Sequence, residues 1–461
     1  MRRGSLLRLV ILLGALVSPA VATADPGSLP ELPELPELPV TSVVLSNGLR
    51  VLLAPDPLAT LTSVRVSYDV GAADDPNGLR GLAQLTEHLV AGQTKHIVRV
   101  LRLLAASGAS DLNATTTLDQ TSYFETLPPE RLETALWVES ERMGYAAEVV
   151  TEARVVSERA VVHNEERERR HDAVLGAAWA FSQHQLFPEW HPYSTAADDD
   201  ADFDLIHASD VQAFVSTWYS PRNAVLAVAG RFDRERALAL VRRYFESLPS
   251  PEPPARPTLR SSSTEGARLV VSANAVQDAM VIEWRTPSFG THDDASLDLA
   301  ATILSLRLQR SLVATHLATR VSARQASNRE SSVFRVTATC APGKAPSVLL
   351  KSIQATVDGM ARDITSADVE RARVQWRRRR LSSLETVEGR TSVLVSNARL
   401  GDGGGPRSSW GLARYENLTE SEVGQGVATW LRPERRVATT TLVDHRAPLR
   451  GRLVRREGAL P

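Results

Sequence analysis

Between residues 41 and 446 the chain alternates two hydrophobic patterns. Short apolar runs bounded by turn residues predict strands, and stretches with apolar residues every three or four positions predict helices. The first signal is Val43-Val44-Leu45, then Asn47-Gly48, then Leu49 to Leu53, which is two strands about a tight hairpin turn. Helical spacing follows at 101–107 and 129–143, on either side of a strand at 123–126, and a long charged helix is predicted over 151–170. A helix at 208–218, a strand at 224–230 and a helix capped by Asp233 and ending at Phe245 complete this part. A Pro-rich stretch from Pro249 to Pro257 intervenes. The order then repeats: strands at 267–272 and 280–284, a helix at 295–312, a strand at 334–340, helices at 345–363 and 366–385, and a closing strand at 437–442. Mixed elements in the same order twice predict an α+β fold of two like halves, 40–248 and 258–446, joined by a Pro-rich hinge at 249–257 and followed by a tail at 447–461.

Composition narrows the function classes. The 461 residues are 43% hydrophobic and 23% charged, an ordinary globular balance with room for more than one core. A formal net charge of -1 gives no global attraction to nucleic acid or to an anionic membrane. Arg2 and Arg3, the apolar run from Leu6 to Val17 and the small residues Ala22-Thr23-Ala24 read as a secretory signal over 1–24. The expected destination is therefore exported, periplasmic or secreted. The apolar run is short for a bilayer, so no stable membrane insertion is expected, an uncleaved anchor being the alternative. Residues 25–39, with proline at every third position from Pro30, read as an extended linker. The single cysteine, Cys340, leaves no internal disulfide and reads as a buried strand residue.

The segment with chemical content is Gln84-Leu85-Thr86-Glu87-His88. An ionisable pair in an apolar helical stretch must be paired or metal-bound to offset desolvation, and taken alone it reads as a structural pair on a helix rim. The segment nevertheless resembles the inverted zinc motif His-x-x-Glu-His of the insulinase/pitrilysin family of peptidases. A second match, Glu158-Arg159-Ala160-Val161-Val162-His163-Asn164-Glu165, places Glu165 77 positions after His88, similar to the family's third ligand. Further matches run in the same order: residues 45–51 and 70–75, Asn113-Ala114-Thr115-Thr116 with Asp119, Thr121 and Tyr123, then His191-Pro192-Tyr193, and Tyr219, Ser220, Pro221, Asn223 and Gly230. The resemblance spans about 40–445. It implies two tandem α/β-sandwich halves of the processing-peptidase type and a zinc ion held by His88, Glu165 and the residue at position 84. It also implies Glu87 as general base and a strand at Asn113 and Ala114 that pairs with an extended peptide substrate.

Two departures bear on activity. Gln84 stands where the motif has its first histidine and offers only a neutral amide oxygen, so the zinc site is incomplete. His163 and His96 are the nearby substitutes, but His163 lies two positions from Glu165 and points elsewhere on a helix. In the second half, Val313 and Arg320 stand where active relatives place an Arg and a Tyr that stabilise the oxyanion. The leading expectation is a non-catalytic subunit or scaffold pairing with a catalytically active paralogue or with a second copy of itself. The alternatives are an active zinc metalloendopeptidase with Gln84 as an atypical ligand, and a peptide-binding protein without catalysis. The cluster Arg371, Arg373, Arg377 to Arg380 reads as a solvated or partner-facing helix with no nucleic acid implied, and Gly403-Gly404-Gly405 as a loop without the residues of a phosphate cradle.

Overall fold

The computed structural model describes residues 39–171, 175–195, 203–259, 264–399, 414–447 and 451–457. The predicted signal and most of the linker, and the glycine run at 403–405, lie outside them. In chain order the strands of the first half are β1 (Thr41–Val44), β2 (Arg50–Pro55), β3 (Thr62–Tyr68), β4 (Ser110–Thr116), β5 (Thr121–Leu127) and β6 (Ala224–Gly230). Those of the second are β7 (Ala267–Ala273), β8 (Ala279–Thr286), β9 (Ala318–Ala326), β10 (Ser332–Cys340), β11 (Val437–Val443) and β12 (Arg452–Glu457).

Among the described residues these form two six-stranded sheets, ordered β1-β2-β6-β3-β5-β4 and β12-β7-β11-β8-β10-β9. The pairing senses correspond strand for strand. One parallel pair in each sheet, β2 with β6 and β7 with β11, sits among antiparallel neighbours. The chain is thus an α+β protein of two like α/β halves. The segment after 446, read as a tail, supplies β12, which pairs with β7 where the first sheet has β1 beside β2.

Among the described residues the α-helices are α1 (Leu82–Gly92), α2 (Val100–Ala106), α3 (Leu132–Tyr145), α4 (Glu152–His171), α5 (Gly176–Leu186), the single turn α6 (Pro192–Thr195), α7 (Ala208–Trp218) and α8 (Arg234–Phe245) in the first half. In the second they are α9 (His292–Leu308), α10 (Pro346–Asp363), α11 (Ser366–Glu385), α12 (Val387–Ala398) and α13 (Glu420–Trp430). Asp233 caps α8 by accepting from the Arg236 N–H at 2.7 Å. The helix predicted over 295–312 runs as α-helix only to Leu308 and closes in a π turn, Gln309–Val313.

Each half lends a helix to the other's sheet. From α12, Leu394 and Val395 bury against Leu52, Ala54, Ala227 and Ala229 of the first sheet. At and beyond the end of α5, Leu186, Phe187 and Tyr193 bury against Ala267, Leu269, Val333 and Val437 of the second. Polar groups close the same seam: Arg65 of β3 pairs with Glu388, Arg390 with Asp56 at 2.5 Å, and the Arg329 N–H donates to Asp119 at 2.7 Å. The Pro-rich stretch carries no helix or strand among its described residues and is fixed at Arg256, which pairs with Asp74 at 2.8 Å and Asp69 at 3.1 Å.

The arginines of α11 mostly hold the second half together. Arg373 donates to the carbonyls of Tyr415 and Leu418, Arg379 to Thr302 and Arg380 to Asn397. Cys340 is buried and free, and burial raises its thiol to about 11. No helix among the described residues is long and apolar enough to cross a membrane.

Candidate functional site

The site is built on α1. Its start is fixed by Gly81, whose φ of 87° is left-handed and whose absent side chain leaves room for the Phe203 ring, 2.4 Å from where a Cβ would stand. Asp75 accepts from the backbone N–H groups of Gly81 and Ala83, both at 2.8 Å, closing the first turn. Leu82, Ala83, Leu85, Thr86, Leu89 and Val90 are buried. Gln84, Glu87 and His88 therefore share the other, half-buried face at helical spacing.

Helix α4 packs against that face. Two of its glutamates, seven positions apart and so on one side of the helix, meet the same histidine. Glu165 Oε2 lies 3.5 Å from His88 Nε2, and Glu158 Oε2 lies 3.8 Å from Nδ1. These are ion-pair distances. Glu158 is the main reason the His88 pKa is raised; burial opposes the rise, and the charges of Glu165 and Glu87 add to it. Arg154 ties α4 to the end of α1 by donating to the Leu89 carbonyl at 2.7 Å.

Strand β4 forms the outer edge of the first sheet and lies beside α1. Thr116 donates to Glu87 Oε2 at 2.6 Å, so the edge strand orients the carboxylate that the resemblance marks as the base. Behind it, the buried Tyr123 and Tyr219 hydroxyls are 3.1 Å apart, and burial is the chief cause of their raised pKa values. Asn113 and Ala114 stand on β4 opposite Phe124 and Tyr123, and the Asn113 side chain folds back to accept from the Ala114 N–H at 2.9 Å. Asp111, at a φ of 48°, lies within the register shift between Ser110 and Asn113.

The structure thus brings Glu87, His88 and Glu165 together and puts Gln84 one turn away on the same helix. Gln84 Nε2 is buried and makes no hydrogen bond. Neither substitute histidine joins the set: His96 Nδ1 is held by Glu141 at 2.9 Å, and the His163 ring packs on Phe203 at 4.9 Å. Glu158, absent from the expected ligand set, is the residue that sequence reasoning underweighted, although its spacing from Glu165 marks it. Val313 packs into the second core and Arg320 is exposed on β9. Among the described residues, no three His, Cys, Asp or Glu side chains converge as a metal-holding group. One imidazole, one carboxylate and a neutral amide do not fit the three-ligand donor set of a catalytic zinc.

Two like halves, with a Glu-His pair on a helix that faces two glutamates of a second helix beside an open sheet edge, define a protein of the inverted-motif zinc-peptidase class. Residues 50–186 match the family description "Insulinase (Peptidase family M16)" and residues 206–375 match "Peptidase M16 inactive domain". The chain belongs to the insulinase family, peptidase family M16. It is 28% identical over 365 residues to the zinc protease PqqE of Helicobacter pylori, covering 75% of this chain and 80% of that protein. It is likewise 28% identical over 400 residues to an uncharacterized zinc protease of Mycobacterium tuberculosis, covering 82% and 88%. In fold it matches the crystal structure of a protease from Helicobacter pylori with a TM-score of 0.79 at 24% identity, over 88% of this chain and all of that one. It also matches the periplasmic protease PqqL from Escherichia coli, with a TM-score of 0.71 at 16% identity over 88% of this chain and 48% of PqqL.

Proposed function

We propose that this chain is a non-catalytic member of the insulinase family, a subunit or scaffold that pairs with a catalytically active paralogue or with a second copy of itself. The observation that carries the reading is Gln84. Gln84 can offer zinc only a neutral amide oxygen, and its amide nitrogen, buried without a hydrogen bond, has no partner that would orient that oxygen. His88, the remaining imidazole, sits between two carboxylates instead. In this role β4 keeps an open sheet edge for an extended peptide. An exported, periplasmic or secreted location is part of the proposal; it rests on residues 1–24 and is supported by the periplasmic PqqL among the fold neighbours.

The retained contact of Glu87 with Thr116 favours a second reading, an active metalloendopeptidase that uses Gln84 as an atypical ligand. Metal analysis and peptidase assay of wild type and Gln84→His separate the two. The expected result is substoichiometric zinc and no turnover in the wild type, with zinc affinity rising at least about 10-fold to 100-fold in the variant, since even outer-shell partners of metal ligands contribute that much. Stoichiometric zinc with turnover in the wild type overturns the proposal.

A further inference from the structure

A polar cavity of about 340 Å³ lies at the seam between the halves and shares no residue with the site on α1. It is walled by Arg50 and Arg222 from the first half, Arg329 and Arg399 from the second, with Asp69 and the Phe289 ring. Four arginines and one aspartate thus line it.

Their partners show which of them are committed. Arg329 is matched by Asp69 at 3.4 Å, Asp74 at 3.4 Å and Asp119 at 3.6 Å. Asp69, the cavity's own carboxylate, is also engaged by Arg256. The other three arginines are lightly held. Arg50 Nη1 donates to the Ala398 carbonyl at 2.9 Å, and no carboxylate of the described residues lies within 4.0 Å of it. Arg399 reaches the Gln120 side-chain oxygen at 3.4 Å and Asp119 only at 4.0 Å, its guanidinium standing 6.0 Å from the centre of the Phe289 ring. Arg222 pairs with Glu252 at 3.3 Å, a contact both of whose side chains are at least half exposed and which is therefore weak.

Forked N–H donors from separate elements, converging on a cavity, suit an oxyanion. With Arg256 included, five guanidiniums meet the five carboxylates Asp69, Asp74, Asp119, Glu252 and Glu330, so what the cavity offers is donor capacity rather than net charge. A phosphate offers more acceptor oxygens to the forked donors than a carboxylate does, the volume exceeds that of a bare phosphate, and Phe289 offers a ring for a planar organic group. We propose that this cavity binds a small phosphorylated molecule through Arg50, Arg222 and Arg399. Such a ligand bridges β2 to the end of α12 and so locks the two halves together.

The test is calorimetric titration of the full chain with inorganic phosphate, AMP and acetate, with melting temperature as a second readout. Saturable binding of phosphate and AMP is expected, AMP tighter, with a raised melting temperature and no response to acetate. Arg50→Ala and Arg399→Ala each weaken AMP binding at least about 10-fold, the scale of one charge-assisted hydrogen bond. Arg222→Ala, at a half-exposed position where folding is not at risk, gives a smaller loss in the same direction. Absence of saturable phosphate or AMP binding, equal binding of acetate, or AMP affinity unchanged in all three variants overturns the proposal.

Discussion

Asp298 offers a stability test that can be worked through in numbers. It lies on α9 and accepts from the Tyr415 hydroxyl at 2.6 Å. Burial raises its pKa from 3.8 to about 7, and the Asp294 charge adds to the rise; the Tyr415 bond and the charges of Arg414 and Arg379 pull the other way. The folded state therefore keeps a proton that the unfolded chain sheds, so stability falls as pH rises from about 4 and the contribution is gone above about 7. At about 1.36 kcal/mol for each pH unit the ceiling is about 4 kcal/mol. Asp298 is partly exposed, which halves the expectation to about 2 kcal/mol. Asp298→Asn keeps an oxygen for Tyr415 and removes the titration. Its stability relative to wild type should be near zero at pH 4 and rise to about +2 kcal/mol at pH 8. Denaturant unfolding at each pH measures it, with fluorescence from Trp376, whose ring stacks on Tyr415 at 4.2 Å, as a nearby reporter. Other titrating groups are common to both proteins and cancel in the difference. A difference that stays constant from pH 4 to pH 8 refutes the reasoning.

Three further substitutions probe the first half. Gly81→Ala places a side chain at a left-handed position and against the Phe203 ring, and should lower stability by about 2 kcal/mol or more, read from thermal unfolding. Arg142→Met leaves the buried Glu125 and Glu139 without the guanidinium that pairs with both, and should cost about 3–5 kcal/mol in a denaturant melt. Gln84→Met removes a buried amide nitrogen that has no partner, so stability should be unchanged or about 1 kcal/mol higher; a loss of more than 1 kcal/mol would show that the amide is held after all.

Most core strands and helices of each half were legible because they are apolar runs whose period matches their structure, whereas β3, β9, β12, α5, α12 and α13 were not among the predicted elements. Much of what escaped local reading is the material exchanged between halves. In β3, Ser63, Arg65 and Ser67 alternate with valines, a pattern whose polar face ordinarily meets solvent, yet all three are buried. Ser63 and Arg65 meet Thr391 and Glu388 of α12, more than 300 positions away. Helix α12 itself, with Val387, Thr391, Val393 and Val395, has the composition of a strand and becomes a helix because its apolar stripe covers the first sheet. Strand β12 carries four exposed or half-exposed arginine and glutamate residues and is fixed by pairing with β7 rather than by burial. At the site, the row Gln84, Glu87, His88 follows from helical period alone, whereas the Thr116 bond to Glu87 depends on how β4 meets α1.

The halves also show two outcomes at one structural position. Counted from their first residues, Gln84 and His88 are third and seventh in α1, and Asp294 and Asp298 are third and seventh in α9. In the second half that pair is closed by neighbours: Asp294 accepts from Arg414 at 2.7 Å, Ser327 at 2.6 Å and Gln325 at 3.1 Å, while Asp298 takes Tyr415. A polar pair satisfied this way holds helices together and leaves nothing directed outward. In the first half His88 has its two carboxylates and Glu87 its threonine, but Gln84 has an unpaired nitrogen at the place a ligand would stand. A position kept only for packing would tend toward an apolar residue or a full set of partners, because an unpaired buried polar atom costs about 1–3 kcal/mol. The first half is therefore intermediate, with Glu87 held by Thr116, the His88 imidazole engaged in ion pairing and Gln84 keeping an unpaired buried nitrogen. That asymmetry within a single site is why the Gln84→His experiment decides between a scaffold and an enzyme.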